Sequence, residues 1–154
     1  MKNDIYEIID PGLDVATIKR NEAIFHNANG YIGIRYDFEE GYPDEIGITR
    51  SQYINGFFDV TDVKRAENLY GLITEKQIMV NVANTQPIRL IFDGEPFSMF
   101  QGSLLKSRLR MDFSKGITVR EVIWRSPQGK EARIVITRMA SFHQLSLFTI
   151  EYEV

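Results

Sequence analysis

Three carboxylate pairs could do acid–base work: Glu39 with Glu40, Asp44 with Glu45, and Glu151 with Glu153. A general acid and its partner must converge on one bond. Neighbours on a strand point to opposite faces, so neither adjacent pair converges if its segment is extended. Glu151 and Glu153 share a face but lie at the end of the chain. All three pairs read as solvated or ion-paired charge. The two histidines, His26 and His143, sit in no H-x-H or H-E-x-x-H pattern, and there is no cysteine. Zinc asks for three or four ligands at recognisable spacing, so no metal site is expected. Structural or surface histidine is the plain reading; a His–Glu proton shuttle is the sharper one. Gly30 and Gly33 form a G-x-x-G without the following helix that would hold an anion, so they read as turn and close-packing glycines.

Two further side chains could meet a ligand. Arg35 stands between Ile34 and Tyr36 in a half-buried strand, where a guanidinium must pair or reach water. Its expected partners are Asp37, Glu39, Glu40 or Asp112; contact with a neighbouring domain or with a sugar are the alternatives. Trp124, next to the turn Ser126-Pro127-Gln128-Gly129, could stack on a pyranose face. Core packing is its default.

The elements that must position these residues are mostly strands. Residues 5–9 form one, ended by Asp10-Pro11-Gly12. Residues 23–38 read as one or two strands broken near Asn29-Gly30. Residues 41–52 read as a loop and 53–60 as a strand. Val63, Ala66, Leu69, Tyr70 and Ile73 fall at helical spacing, so a helix is expected over 61–76, with a long loop as its competitor. Strands follow at 78–82, 88–92, 97–113, 117–125, 131–140 and 144–154, with a hairpin turn at Asp93-Gly94. In the last strand both faces look apolar, which places it centrally in a sheet or between layers. Turns every 8–12 residues imply an all-β fold, an antiparallel β-sandwich, over residues 1–154 as a single domain. A sequence ending in mid-strand implies that further polypeptide or another chain completes it.

The chain has 154 residues, 44% hydrophobic and 25% charged, with net charge −3. At this length folding buries roughly 70% of the extended chain's surface, enough for one core. Lys and Arg are dispersed, so no cationic face for nucleic acid is expected. No apolar run nears the roughly 20 residues of a membrane helix, and the N-terminus carries acids where a signal peptide is apolar. The expectation is a cytoplasmic protein without nucleic-acid or membrane partners.

A series of ordered blocks carries a resemblance. Asn29-Gly30-Tyr31-Ile32-Gly33-Ile34-Arg35, then Glu39-Glu40, opens it. Tyr53-Ile54-Asn55-Gly56-Phe57-Phe58-Asp59 follows, then Asn81, then Asp93-Gly94-Glu95-Pro96-Phe97. Arg108-Leu109-Arg110-Met111-Asp112 leads to Lys115-Gly116 and Val119-Arg120. Trp124-Arg125-Ser126-Pro127 with Gly129, and Arg138-Met139-Ala140-Ser141, close it. Together they resemble the N-terminal region of glycoside hydrolase family 65, the maltose, trehalose and kojibiose phosphorylases and their hydrolase relatives. Tyr36 and Met111 depart from its common pattern, which bears on the subgroup and hence the sugar. The resemblance implies the first part of a galactose-mutarotase-like supersandwich, with the catalytic acid and the phosphate pocket in an (α/α) barrel beyond this chain. It implies a non-catalytic domain that supports that barrel, one rim of its active site and a dimer. Inorganic phosphate would be the parent enzyme's co-substrate, and no cofactor is implied. The candidates for a binding surface or barrel interface are Asn29, Arg35, Glu39 and Trp124; no catalytic residue and no metal ligand is assigned. An independent carbohydrate-binding module and a mutarotase-like isomerase are the competing readings. An incomplete sandwich would leave strand edges and apolar surface free, so a homo-oligomer is expected.

Overall fold

The structure is a computed structural model that describes residues 4–47, 51–64 and 70–154. Its frame is a five-stranded antiparallel sheet. The strands are β1 (Ile5–Ile9), β9 (Ser103–Asp112), β10 (Ile117–Arg125), β11 (Glu131–Ala140) and β12 (Phe148–Glu153), in that spatial order. The intervening elements are α1 (Val15–Ile24), β2 (Asn27–Ala28), β3 (Ile32–Ile34), a single 3-10 turn (Asp44–Ile46), β4 (Gln52–Ile54), β5 (Phe58–Asp62), β6 (Glu75–Met79), β7 (Ile91–Phe92) and β8 (Glu95–Pro96). β2, β3 and β4 form a small sheet; β5 with β6 and β7 with β8 form hairpins. The fold is all-β and antiparallel, the class its turn spacing implies.

Strict alternation builds the core. Along β10 Thr118, Arg120, Val122 and Trp124 are buried, and along β11 Ala132, Ile134, Ile136, Arg138 and Ala140 are buried, while the residues between them are half-exposed or exposed. Period 2 turns one face inward. Phe25, Tyr36, Phe38, Phe97 and Met99 cover that face. Trp124 has no exposed surface, meets Phe97 edge-on at 5.4 Å and donates its indole N–H to the Gln101 carbonyl at 2.7 Å.

Three expectations are corrected. The helix placed over 61–76 does not form at either described end: Phe58–Asp62 pairs with Glu75–Met79 as a hairpin, and the Val63 N–H bonds the Thr74 carbonyl at 2.8 Å. Residues 65–69 lie outside the described residues. Of the apolar residues that set the helical spacing, Tyr70 and Ile73 are exposed and Val63 is half-buried. A helix forms instead at Val15–Ile24, mostly in a stretch to which no element was assigned and overlapping only the first two residues of the expected strand at 23–38. Asp14 caps it, its carboxylate accepting the Thr17 N–H at 3.0 Å. Its buried residues are Ile18, Asn21 and Glu22, two of them polar, so no apolar periodicity announced it. The last strand is an edge strand rather than a central one. It begins only at Phe148; Leu145 and Leu147 lie in the preceding loop, so its outer face is Thr149, Glu151 and Glu153.

Candidate functional site

Four charged side chains gather at one buried point. Arg120 on β10 and Arg138 on β11 project from the inner face of the sheet. Opposite them, the chain after Phe38 turns back, the Gly41 N–H bonding the Phe38 carbonyl at 3.1 Å. That turn presents Glu39 and Glu40 side by side. Arg120 donates to Glu40 through two nitrogens, at 2.8 and 2.5 Å, and to Glu39 at 2.7 Å. Arg138 donates its Nε–H to Glu39 at 2.6 Å, and its terminal nitrogen to Glu39 and to the Asp37 carbonyl. The expectation that Glu39 and Glu40 diverge is therefore corrected: the segment is a turn, not a strand, and both carboxylates converge on one guanidinium.

This quartet is neutral in sum and almost wholly shut off from solvent, with side-chain exposures of 0–3%. Burial alone would pull the Arg120 guanidinium down, but the carboxylates of Glu40 and Glu39 outweigh it and hold the group well above its ordinary value. Aromatic faces complete the cage: Phe38 lies 4.8 Å from the Arg120 guanidinium carbon and Tyr36 lies 4.7 Å from that of Arg138. Removing one arginine would strand buried carboxylate charge, a loss of about 3–5 kcal/mol. Chemically the arrangement braces. Both oxygens of Glu39 are bonded to guanidinium, which holds the carboxylate in one orientation. A cleft of about 430 Å³ with mixed polar and apolar walls opens beside it, lined by Glu39, Glu40, Arg89, Phe97, Ser98 and Gln101 among others.

The four residues singled out from sequence do not form one site. Glu39 belongs to the quartet. Arg35 does not reach it; its side chain is half-exposed and pairs with Glu22 at 3.4 Å, a partner outside the four expected, because α1 brings Glu22 alongside. Burial raises the Glu22 carboxyl above its usual range despite that arginine. Asn29 is a structural clamp. Its amide donates to the Ser141 and Leu145 carbonyls at 2.7 and 2.9 Å, and its oxygen accepts from the Tyr31 and Ile32 N–H groups. Trp124 lies in the core with no face free for a sugar. The His26 Nδ1 lies 2.8 Å from the Ala23 carbonyl, and His143 is exposed; neither lines the cleft. Among the described residues no group of three or more His, Asp or Glu could hold a metal ion. Arg120 and Arg138 were the residues to find. The signal was their phase: each shares the inward register of Val122 and Trp124, or of Ile134 and Ile136, and a buried guanidinium needs carboxylates.

Comparison with known proteins decides the family. The model of the glycosyl hydrolase family 65 N-terminal domain matches residues 8–154. The chain belongs to glycosyl hydrolase family 65. This family 65 domain is 37% identical over 141 residues to the alpha,alpha-trehalose phosphorylase of Geobacillus stearothermophilus, covering 90% of this chain and 18% of that protein. It is 40% identical over 139 residues to the trehalose phosphorylase of Thermoanaerobacter brockii, again 90% and 18%. A solved structure, a putative kojibiose phosphorylase from the human microbiome, superposes with a TM-score of 0.73 over 97% of this chain and 20% of that one. At 22% identity that likeness shows the fold alone. The family 65 domain thus spans a fifth or less of the length of the proteins it matches. No helix among its described residues is long and apolar enough to cross a membrane.

Proposed function

We propose that this family 65 domain is non-catalytic and supports a catalytic (α/α) barrel elsewhere in a longer polypeptide. The whole protein would be a cytoplasmic, dimeric, inverting α-glucoside phosphorylase or hydrolase, with phosphate as acceptor in the first case. The names of its relatives make trehalose and kojibiose the first substrates to try. The observation that carries the reading is the Glu39–Glu40–Arg120–Arg138 quartet. A catalytic acid must give its proton to a glycosidic oxygen, and an inverting enzyme keeps its two groups roughly 6.5–9.5 Å apart with solvent or phosphate between. Here the converging carboxylates are sealed and neutralised by arginine.

The surface that meets the barrel on this reading is the β5–β6 hairpin. Every residue of both strands is exposed, Phe58, Val60, Ile78 and Met79 included, with Phe57 beside them. A two-stranded hairpin alone is marginal in water, so apolar cover from the remaining four-fifths of the polypeptide fits it. The test of the non-catalytic role is Glu39→Gln in the whole enzyme. Stability falls, while kcat per folded molecule stays within a few-fold of wild type. A loss of several orders of magnitude in kcat with the fold intact would overturn the reading.

A second reading, a carbohydrate-binding surface, draws on the cleft beside the quartet, whose Arg89, Ser98 and Gln101 could bond sugar hydroxyls. Titration with trehalose, compared between wild type and Gln101→Ala, separates it from a purely structural role.

A further inference from the structure

Beneath α1 lies a small, partly open space of about 10 Å³, just large enough for one water-sized probe. Ile18, Tyr36, Phe38, Met99 and Leu109 make its apolar walls. Three polar residues also line it: Asn21 from α1, Ser107 from β9 and Arg120 from β10. Each is 3–4% exposed. In each, one buried atom has no protein partner: Asn21 Oδ1, Ser107 Oγ and Arg120 Nε. Leaving a buried donor or acceptor unpaired costs about 1–3 kcal/mol apiece, so three around one cavity are not a neutral arrangement.

The three atoms specify their ligand. The Arg120 Nε–H only donates, so the occupant must accept. Asn21 Oδ1 only accepts, so the occupant must also donate. Ser107 does either. A metal cation is repelled by the guanidinium, a halide has nothing to give Asn21, and the space admits no larger solute. We propose that one internal water resides here, accepting from Arg120 Nε, donating to Asn21 Oδ1 and bonding Ser107 Oγ. It satisfies the nitrogen of Arg120 that its two carboxylates leave over. It also ties α1 to the sheet, which matters because Ile18 is the one apolar residue α1 buries completely enough to count as core. The inference is independent of which sugar the parent enzyme uses.

A crystal structure of the protein at about 1.5 Å tests it. The expected result is a single water peak within about 2.7–3.2 Å of all three atoms. Density without a peak there, a peak with the strength of a heavier ion, or Asn21 and Ser107 turned onto other partners would each overturn the assignment. In solution, oxygen-17 relaxation dispersion should count one fewer long-lived water in Asn21→Leu than in wild type. An equal count would also overturn it.

Discussion

At the scale of single residues, the interior of this domain is unusually polar, and its behaviour with pH follows. Burial holds the phenols of Tyr36, Tyr42 and Tyr152 above the ordinary value of about 10. As pH rises the unfolded chain gives up those protons first. Stability from these groups is therefore intact below about pH 10 and lost progressively above it. Urea midpoints at about pH 8 and about pH 10.5 should show the drop. Tyr152→Phe, which removes a buried hydroxyl that has no protein partner, should show a smaller one. An identical drop in the variant would mean that Tyr152 ionises freely in the folded protein. The same polarity explains what the sequence hid. The bounds of β10 and β11 were legible, and the core position of Trp124 agrees with its default reading, but the inward phase of the two strands was not drawn out. The partners of Arg120 and Arg138 lie 80–101 residues away in a turn, and no local pattern joins them. Arg35 misled in the opposite direction: it looked half-buried in a strand, yet it lies at the surface and pairs with the buried Glu22 of α1.

At the scale of elements, strands of 9–10 residues with clear turn chemistry were readable, and short or polar elements were not. β9, β10 and β11 lie at or within the expected bounds. α1 was missed because it buries Asn21 and Glu22 where periodicity looks for aliphatics. The 61–76 helix was drawn on apolar spacing whose described members Tyr70 and Ile73 are exposed, so no core enforces a helical period on them. A glycine pair tests how tightly the strand ends are built. At Gly102, φ is +72° and a Cβ would lie 2.3 Å from the Arg125 carbonyl oxygen and 2.9 Å from the Trp124 indole nitrogen, beside the β9–β10 register shift. At Gly129, φ is +89° and a Cβ would meet nothing within 4 Å. Gly129→Ala should cost only the left-handed backbone, about 1–2 kcal/mol. Gly102→Ala should cost clearly more, since backbone cannot step aside, and should shift the fluorescence of Trp124, the sole tryptophan. Thermal melts of both variants decide; equal losses would contradict the close approach at Gly102.

At the scale of the whole molecule, the domain has a braced interior and an unbraced arm. Four charges and a cage of aromatic rings lock the turn at Glu39–Glu40 to the sheet, while the β5–β6 hairpin carries exposed Phe58, Val60 and Met79 on one face. If that face packs on the barrel, Phe58→Asp in the longer enzyme should split its melting into two transitions. The isolated chain's melting should scarcely change. A single unshifted transition in the longer enzyme would assign the arm another role. The central claim, that this domain supports chemistry it does not perform, is tested most directly on the 154-residue chain alone. Folded chain, verified by the blue-shifted emission of buried Trp124, is incubated with trehalose or kojibiose and inorganic phosphate, and sugar phosphate and free glucose are measured. The account predicts neither product above the enzyme-free control. Turnover that disappears in Glu39→Gln would contradict it.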